Sequence, residues 1–573
     1  MLIALALLFP IVLPAQAGAQ PAQRAPLDLL TVAPGDALLV VSTDRFDAIR
    51  ERAAKNAWGR FLKDGRMGIG DLLQTVLEET EGEAQWAQAN EVLESVHGSA
   101  LGFLAPLDAA GGGKGFGGAL LVQPEQGLVP FLAFYQQLLE WVKTQGDVVI
   151  SKETYAGVNL DVFEHQMDEV AVLFESQGVV GAALGSSRDG ALGIAHGVLD
   201  RIGGKDVAHG FAAHKEFLAA RGSGRKPAID VHVQIQELLA AHGETWDGSD
   251  EGEDFAKKLG LDQVRWAHLK ADIGTGEVLE LSVRVHIPRA TFLGKCFDLF
   301  GPLPADLLKR MPGEGSSFGV ANYDLAGLWR EIKTFLGEAD PDELAELERN
   351  VEETSTSAGF DIEDLIQSFD GRFGSFQVKV PIEEVPQIAM MGLQEVPEGM
   401  QQGGGYFIGL RNPEAVKTGI DALLEQTGMA AMVTGETFEG TSLSSLDLGM
   451  MKLGWCLVAD GLVIGTPTPM HAFLHQASAA AGTSAADVPR FASAVQSFSG
   501  ASVLSIADTA MSLEKVLSMF QMIPMFLGSY GNSDLGPLTS PPDPAMASEF
   551  FKGTAVLTLR REGDLFEFFA GTR

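Results

Sequence analysis

The segment Glu153-Thr-Tyr-Ala-Gly157 recurs later in the chain as Glu436-Thr-Phe-Glu-Gly440. Each copy ends in glycine, which accepts the left-handed backbone of a tight turn, and apolar residues flank both copies. Three further pairs of segments keep the same order along the chain: Gln177-Gly-Val-Val180 with Asp460-Gly-Leu-Val463, Gly117-Gly-Ala-Leu-Leu-Val122 with Gly403-Gly-Gly-Tyr-Phe-Ile408, and Pro34-Gly-Asp36 with Pro312-Gly-Glu314. Four matches in one order predict an internal duplication.

The residues around the first copy predict a meander of antiparallel strands. Short turns separate four β-rich stretches, at 148–152, 158–164, 170–175 and 179–184. Helical spacing of apolar residues precedes and follows the meander in each half. We therefore predict an α+β fold of two homologous halves, each a mainly antiparallel sheet with helices packed on one face. The predicted halves span 26–300 and 302–573, and Gly301-Pro302-Leu-Pro304 forms the junction.

The first residues predict export. An apolar run ends in small residues at Ala15-Gln-Ala17 and Ala17-Gly-Ala19, which is typical of a signal peptide covering 1–19. An uncleaved anchor is the alternative, but Pro10 and Pro14 interrupt a run already short of the ~20 apolar residues that span a bilayer. We expect a periplasmic or extracellular protein that is not an integral membrane protein once the signal is removed.

The charge balance excludes one class of partner. The formal net charge is −35 at pH 7, and the chain contains no basic block. Nucleic-acid binding is therefore not expected, because it requires clustered lysine and arginine to neutralise phosphates. The only cysteines are Cys296 and Cys456, which we interpret as two buried thiols. A single disulfide joining the halves stays open as an alternative.

The opening Ala33-Pro-Gly-Asp-Ala-Leu-Leu-Val-Val41, the signal segment and the repeated order of strand, helix and meander carry a family resemblance. The chain resembles an uncharacterised family of exported bacterial envelope proteins, over most of its mature length. The resemblance implies an envelope location and implies no activity or site residue.

Short motifs give no support for catalysis. Gly315-Ser-Ser-Phe-Gly319 matches G-x-S-x-G, yet a nucleophile elbow needs a strand before the serine and a helix after it, and here the predicted strand follows. Ser512-Leu-Glu-Lys515 and Lys417-Thr-Gly419 match two motifs of penicillin-recognising enzymes in reversed order. We predict no catalytic residue and no cofactor.

Two sets of residues could hold a metal ion. His471 and His475 lie four residues apart, on one face of a predicted helix, and we interpret them as a solvated pair. An acidic, glycine-containing stretch could offer oxygen ligands to Ca²⁺, although its spacing differs from an EF-hand. We interpret that stretch as a solvated loop; its candidate ligands are Asp247, Asp250, Glu251 and Asp254.

A methionine-rich segment at 511–527 could contact an apolar partner. Apolar residues cover more than one face of this predicted helix, which favours a buried core helix over a binding surface. The candidate contact residues are Met519, Phe520, Met522 and Phe526.

Together these observations predict a non-catalytic exported envelope protein. Its sheet face, or the cleft between its halves, would bind a protein, a peptide or a lipid. A hydrolase with a dispersed site in that cleft is one alternative, since clefts between domains often hold active sites. A calcium-dependent structural or adhesion module is the other.

Overall fold

A computed structural model describes residues 27–67, 96–108, 114–124, 148–165, 170–222, 226–242, 250–385, 400–449, 452–478, 484–528 and 543–572, with the backbone alone at 67, 108, 114, 165, 242, 250–254 and 520–528. The chain divides into two compact units. Unit 1 holds the described residues up to Glu253 together with Asp262–His286; unit 2 holds Asp254–Leu261 and the described residues from Ile287 onward. The division thus falls upstream of Gly301, where the sequence predicted the junction.

The described strands of unit 1 form one antiparallel sheet in the order β10-β9-β8-β1-β2-β3-β7-β6-β5-β4. In chain order they are β1 Leu39–Thr43, β2 Ala100–Asp108, β3 Lys114–Val122, β4 Val148–Tyr155, β5 Val158–His165, β6 Val170–Ser176, β7 Val179–Gly185, β8 Ile229–Val233, β9 Ala267–Ile273 and β10 Leu279–His286. The predicted meander is confirmed as β4 to β7.

The described strands of unit 2 form an antiparallel sheet with the corresponding order, β20-β19-β18-β11-β12-β13-β17-β16-β15-β14. They are β11 Ser317–Asn322, β12 Phe369–Lys379, β13 Gln402–Leu410, β14 Val433–Phe438, β15 Thr441–Asp447, β16 Lys452–Val458, β17 Gly461–Gly465, β18 Val503–Asp508, β19 Thr554–Glu562 and β20 Leu565–Thr572. Each strand of unit 1 therefore has a counterpart ten numbers higher.

Helices connect the strands and complete an α+β fold. In chain order the described α-helices are α1 Phe46–Lys55, α2 Ala57–Lys63, α3 Arg188–Ile202, α4 Lys215–Arg221, α5 Ile235–His242, α6 Asp250–Leu259, α7 Phe292–Asp298, α8 Ala305–Arg310, α9 Leu325–Ala339, α10 Pro341–Ala358, α11 Ile362–Ser368, α12 Pro413–Gln426, α13 Pro467–Ser478, α14 Pro489–Ser497, α15 Thr509–Gly528 and α16 Ala547–Phe550. Among the described helices none is long and apolar enough to cross a membrane.

The repeated Glu-Thr-aromatic segments form matching hairpin turns. Gly157 at φ +82° follows Ala156 at φ +50°, and Gly440 at φ +81° follows Glu439 at φ +48°. Two successive left-handed residues define the turn type that best fits the twist of a two-residue hairpin.

The second sequence match is one residue out of register. Gly178 lies in the β6–β7 turn at φ +80°, whereas Gly461 lies inside β17 and pairs with Gly409. A Cβ on Gly461 would lie 2.3 Å from the Phe407 ring, so this glycine makes room for a core aromatic. The two positions therefore favour glycine for different reasons: Gly178 adopts a left-handed backbone, and Gly461 leaves space for an aromatic ring.

Helices lie against both faces of the unit 2 sheet, which corrects the prediction of one face. Successive residues of a strand point to opposite faces. On β13, Phe407 stacks on Phe473 of α13 at 5.5 Å, while its neighbour Ile408 packs in a cluster with Val416 of α12. After β13 the chain continues as α12, which packs across the second face of the sheet. There α12 packs on Ile408 and Leu462, on the face that the sequence pattern predicted to carry no helix.

The unit 1 sheet also has two distinct faces. The core face carries buried residues such as Val40, Leu121 and Val172, which pack with α3 and Phe217 of α4. The outer face carries the alternate residues, including Leu39, Leu120 and Leu184; at its corner Ile273 packs on Ile49 and Ala53 of α1.

Both cysteines of the chain are free thiols. Cys456 is 2% exposed, and burial raises its pKa to about 11, so it remains protonated at neutral pH. Cys296 is half-buried rather than buried, which corrects the sequence interpretation for that residue.

Candidate functional sites

A cluster of ionisable side chains lies inside the core of unit 1. Asp230 and His232 alternate on β8 and share the core face, and His268 on β9 stands directly opposite His232. Each of these three residues is 1% exposed. Arg221, the last residue of α4, reaches into the same space, and we call these four residues the buried polar cluster.

Asp230 is the anionic centre of the buried polar cluster. Its Oδ1 lies 3.0 Å from His268 Nε2, and its Oδ2 lies 3.3 Å from Arg221 Nε. Neither contact has hydrogen-bond geometry, and within the described residues both ring nitrogens of His232 lack a hydrogen-bond partner. A buried ion pair with such incomplete hydrogen bonding contributes little net stability, although removal of one partner is costly.

Aromatic rings enclose the buried polar cluster. Phe217 of α4 meets His232 edge-on at 5.8 Å and His268 at 5.7 Å, and Trp266 lies 5.8 Å from His232. Desolvation, together with smaller contributions from the neighbouring His268 and His214, lowers the pKa of His232 to about 3. His232 is therefore a neutral imidazole at any pH near 7.

The sheet also holds the end of α4 over the buried polar cluster. Lys270 on β9 donates a hydrogen bond to the carbonyl oxygen of Arg221, and Arg284 on β10 donates to the Ala220 carbonyl at 2.8 Å. Cations at the last carbonyl groups of a helix offset its negative end. These contacts position Arg221 so that its guanidinium faces Asp230.

Unit 2 is apolar on the same two strands. The core-facing pairs of β18 and β19 are Ile506 with Val556 and Leu504 with Thr558. The corresponding pairs of β8 and β9 are His232 with His268 and Asp230 with Lys270. The same strand arrangement is thus built without charges in unit 2, so the fold does not require the buried polar cluster.

An Asp–His contact can in principle transfer a proton, but a substrate must reach it. Asp230 and His268 are each 1% exposed beneath α4, and the Phe217 ring covers the imidazole. This enclosure favours a structural or pH-responsive role over catalysis. In the sequence, apolar and polar residues alternate along Ile229-Asp-Val-His-Val233. This alternation predicts a strand with its polar face in solvent, so it does not reveal that Asp230 and His232 are buried.

His471 and His475 pair with carboxylates of the β14–β15 hairpin. His471 Nε2 lies 3.0 Å from Glu436 Oε1, and the His471 ring stacks on Phe438 at 4.2 Å. His475 Nδ1 lies 2.7 Å from Glu439 Oε1. Within the described residues, no three side chains of the metal-binding types are arranged to hold a metal ion. We call these contacts the histidine latch, because they fasten the hairpin to α13.

Unit 1 fastens its hairpin with arginine. Arg188 of α3 pairs with Glu153 at 2.5 Å, contacts Glu164 and donates to Ser151 at 3.1 Å. The repeated glutamate of the two sequence copies, Glu153 or Glu436, thus contacts a side-chain nitrogen of the helix that follows the meander in both units. The sequence motif does not reveal this parallel, because an arginine in unit 1 corresponds to a histidine in unit 2.

The histidine latch is expected to depend on pH. Glu439, and more weakly Glu314, raise the pKa of His475, so its attraction is complete below pH 6.5 and is lost as pH rises through the raised pKa. In an NMR titration we expect His475 to titrate above 6.5 and Glu439→Gln to return it toward 6.5. An unchanged titration in Glu439→Gln would contradict the latch.

The acidic stretch is part helix. Asp250, Glu251 and Asp254 lie in the first turns of α6, and Asp247 lies outside the described residues. This corrects the prediction of a loop through 254. Carboxylates favour the positive N-terminal end of a helix, which explains their concentration there without a bound cation.

The methionine-rich segment is the helix α15, as predicted. Leu517 is 4% exposed and Ser518 is fully buried, while Met519 is 43% exposed. The side chains of Phe520, Met522 and Phe526 lie outside the described residues, so their contact role stays a prediction. Met519 itself is accessible to a partner.

The outer face of unit 1 presents apolar residues and a cavity to solvent. Leu184, in the interior strand β7, is 53% exposed. A cavity of about 460 Å³ opens at the turn end of the same face. The residues that line it from this face are Asn159, Asp161, Leu173, Glu175 and Val180. Polar and charged groups therefore border one end of an otherwise apolar surface.

Comparison with protein-family models, curated proteins and solved structures found no match to the chain. The function must therefore be argued from the geometry above.

Proposed function

We propose that this protein is a non-catalytic, exported envelope protein of two duplicated units, whose outer sheet face in unit 1 binds an amphipathic ligand. The export part of the proposal rests on the signal-like first residues 1–19 and their small-residue cleavage pattern. The single observation that carries the binding part is the 53% exposure of Leu184 in the interior of a sheet. Leu173, on the same face, lines the cavity at the turn end.

Three structural parallels support duplication. The strands of both units follow the same order, although sheets of this size permit many orders. The Glu-Thr-aromatic hairpins use the same pair of left-handed residues, and their glutamates, Glu153 and Glu436, contact Arg188 and His471 on the helix that follows the meander. After the duplication the two copies would have diverged at β8 and β9 and their counterparts β18 and β19. Unit 1 now carries the buried polar cluster there, and unit 2 carries mainly apolar residues.

The chemistry of the outer face suggests the ligand class. Leu120 and Leu173 are half-buried beside Leu184, and an acyl chain or apolar side chains could cover them. Asp161 and Glu175 border the cavity at the end of this surface; the exposed Lys152 lies 3.6 Å from Asp161, which leaves Glu175 as the carboxylate for a cationic head. We infer a ligand with an apolar body and a cationic or hydroxyl-bearing head.

A charge on the outer face is expected to abolish apolar binding. The substitution Leu184→Glu places a carboxylate where the ligand body would lie, and desolvating that charge opposes binding. With Nile red as a neutral apolar probe, we expect at least about a tenfold loss of affinity, which is about 1.4 kcal/mol. Fluorescence titration measures the effect.

The matched control is Val149→Glu. Val149 is 66% exposed on the opposite face of the sheet, where Glu164 is its cross-strand partner. This variant should bind the probe normally, and both variants should melt at the wild-type temperature. Equal binding by wild type and Leu184→Glu would refute the outer-face site.

A hydrolase is the second proposal, and the 3.0 Å contact between Asp230 and His268 favours it. It would need a path for substrate beneath α4, because both residues are 1% exposed. Screening ester, amide and glycosidic substrates separates the two proposals, since a binding protein turns none of them over. For the calcium-dependent module, Asp250 and Glu251 lie in α6 and Asp247 lies outside the described residues, so this alternative stays a prediction.

A further inference from the structure

Unit 2 exposes a group of large apolar side chains where α12 ends and β14 begins. Leu423 is 46% exposed, Met429 36%, Met432 51% and Leu448 42%. Val433 pairs with Leu446, and this register places Met432 and Leu448 on adjoining chain ends. We call these four residues the apolar corner.

The backbone beneath the apolar corner is held in a defined shape. Gly428, at φ +71°, ends α12 and donates to the Glu425 carbonyl at 3.1 Å, while Met429 donates to the Leu424 carbonyl at 2.9 Å. This is the hydrogen-bond pattern of a Schellman cap. The hydrophobic residue after such a cap commonly packs back on its own helix, yet Met429 remains exposed. The corner is therefore preorganised for a partner.

Negative charge borders the apolar corner. Asp421, Glu425 and Asp447 are exposed around it, and we call them the acidic rim. Lys417 lies 3.6 Å from Asp421 and offsets part of this charge, while Glu425 and Asp447 keep the rim negative. Gln426 donates to the Ser357 carbonyl at 2.8 Å, which brings the C-terminal end of α10 beside that of α12. Neither last turn contains a basic residue, so the partial negative charges of both helix ends add to the rim.

We propose that the apolar corner docks a basic amphipathic segment of another polypeptide. Its apolar side chains would cover the methionines and leucines of the corner, and its lysines or arginines would face the acidic rim. Methionine side chains adapt to irregular apolar partners, and an apolar stripe with basic flanks is a common form of helix recognition. This surface is separate from the outer face of unit 1, so the two proposals can fail independently.

Charge argues against the other possible occupants. A second copy would bring two acidic rims together in a chain of net charge −35, and like charges repel. An anionic lipid surface would be repelled in the same way. A basic partner alone satisfies both the apolar centre and the acidic border.

The test uses the full chain and a fluorescein-labelled synthetic helix of leucine and lysine, about 18 residues or five turns long. Anisotropy titration should show binding that weakens as NaCl rises from about 20 to about 300 mM. The double variant Met429→Ser/Met432→Ser should raise the Kd about tenfold or more, because two apolar side chains that the peptide would cover are lost. The triple variant Asp421→Asn/Glu425→Gln/Asp447→Asn should lose most of the salt dependence.

The matched control is Tyr406→Ser/Leu557→Ser, which removes two exposed apolar residues elsewhere in unit 2 and should leave the Kd unchanged. All substituted residues are exposed, so melting temperatures should stay near wild type. Equal peptide affinity of wild type and Met429→Ser/Met432→Ser would overturn the proposal, as binding would then follow net charge alone. Binding of a leucine–glutamate peptide as tightly as the leucine–lysine peptide would also overturn the proposal. So would a wild-type protein that is dimeric in solution and becomes monomeric in the double variant, because the occupant would then be a second copy.

Discussion

Replacing Arg221 by alanine is expected to destabilise unit 1 by about 3 kcal/mol, because it leaves the Asp230 carboxylate buried with one fewer opposite charge. Asp230 is 1% exposed, and its Oδ2 lies 3.3 Å from the lost guanidinium. The backbone carbonyl at position 221, which accepts from Lys270, is kept in the variant, so the effect reports on the guanidinium alone. Urea unfolding followed by circular dichroism measures the change in free energy.

The companion variant Arg221→Met/Asp230→Leu/His232→Ile/His268→Val gives the opposite expectation, because it removes both partners of the ion pair. It installs apolar side chains like those on β18 and β19, where Leu504, Ile506 and Val556 belong to the core of unit 2. Well-packed apolar residues often equal or exceed a buried ion pair in stability. We expect this quadruple variant to be at least as stable as wild type. A loss as large as that of Arg221→Ala would show that packing, and not burial of charge, controls this region.

Acid is expected to unfold unit 1 through His232. The folded-state pKa is about 3 and the unfolded value is 6.5, so unfolding takes up a proton at any pH between them. Stability is therefore complete above pH 6.5 and falls with pH, at about 1.4 kcal/mol per pH unit. Between pH 6.5 and pH 4 the loss is about 3 kcal/mol from this one imidazole. Burial lowers the pKa of His214 as well, which acts in the same direction.

The single variant His232→Ile should flatten this pH dependence. Thermal melts between pH 4 and pH 7 compare its slope with that of wild type and of His209→Gln, which alters an exposed histidine of the same unit. His209→Gln should retain the wild-type slope. If His232→Ile also retained it, another group would be responsible for the acid sensitivity.

The hairpins could be predicted from sequence because the controlling interactions are local. Alternating apolar residues and a turn glycine define β4 to β7, and the same signal locates β14 and β15. By contrast, the helical spacing of Phe46, Ile49, Ala53, Ala57 and Phe61 predicts one continuous helix, which the structure divides into α1 and α2 at Asn56. Asn56 adopts an extended backbone, caps α2 by accepting from Trp58, and donates to the carbonyls of Gly274 and Val278. The last two partners come from a distant hairpin, which helical periodicity cannot reveal.

The buried polar cluster escaped prediction for a related reason. Strand alternation tells which residues share a face, but not which face a helix will cover. The local sequence pattern predicts that the side chains of Asp230 and His232 face solvent. In the structure α4 covers them, and Lys270 and Arg284 hold the end of that helix by hydrogen bonds. His471 and His475 were correctly placed on one helix, whereas their partners Glu436 and Glu439 come from the neighbouring hairpin.

The strand order also determines when each unit can fold. Strand β1 lies between β2 and β8, and Leu39 pairs with Val233 from near the end of the unit. Until β8 has been synthesised, the edge of β1 opposite β2 has no partner. Pairing between strands so far apart in sequence makes folding slow. The same delay applies to β11 and β18 in unit 2. The nascent chain must therefore pass through a long period in which an apolar strand edge is exposed and open to aggregation or to a chaperone.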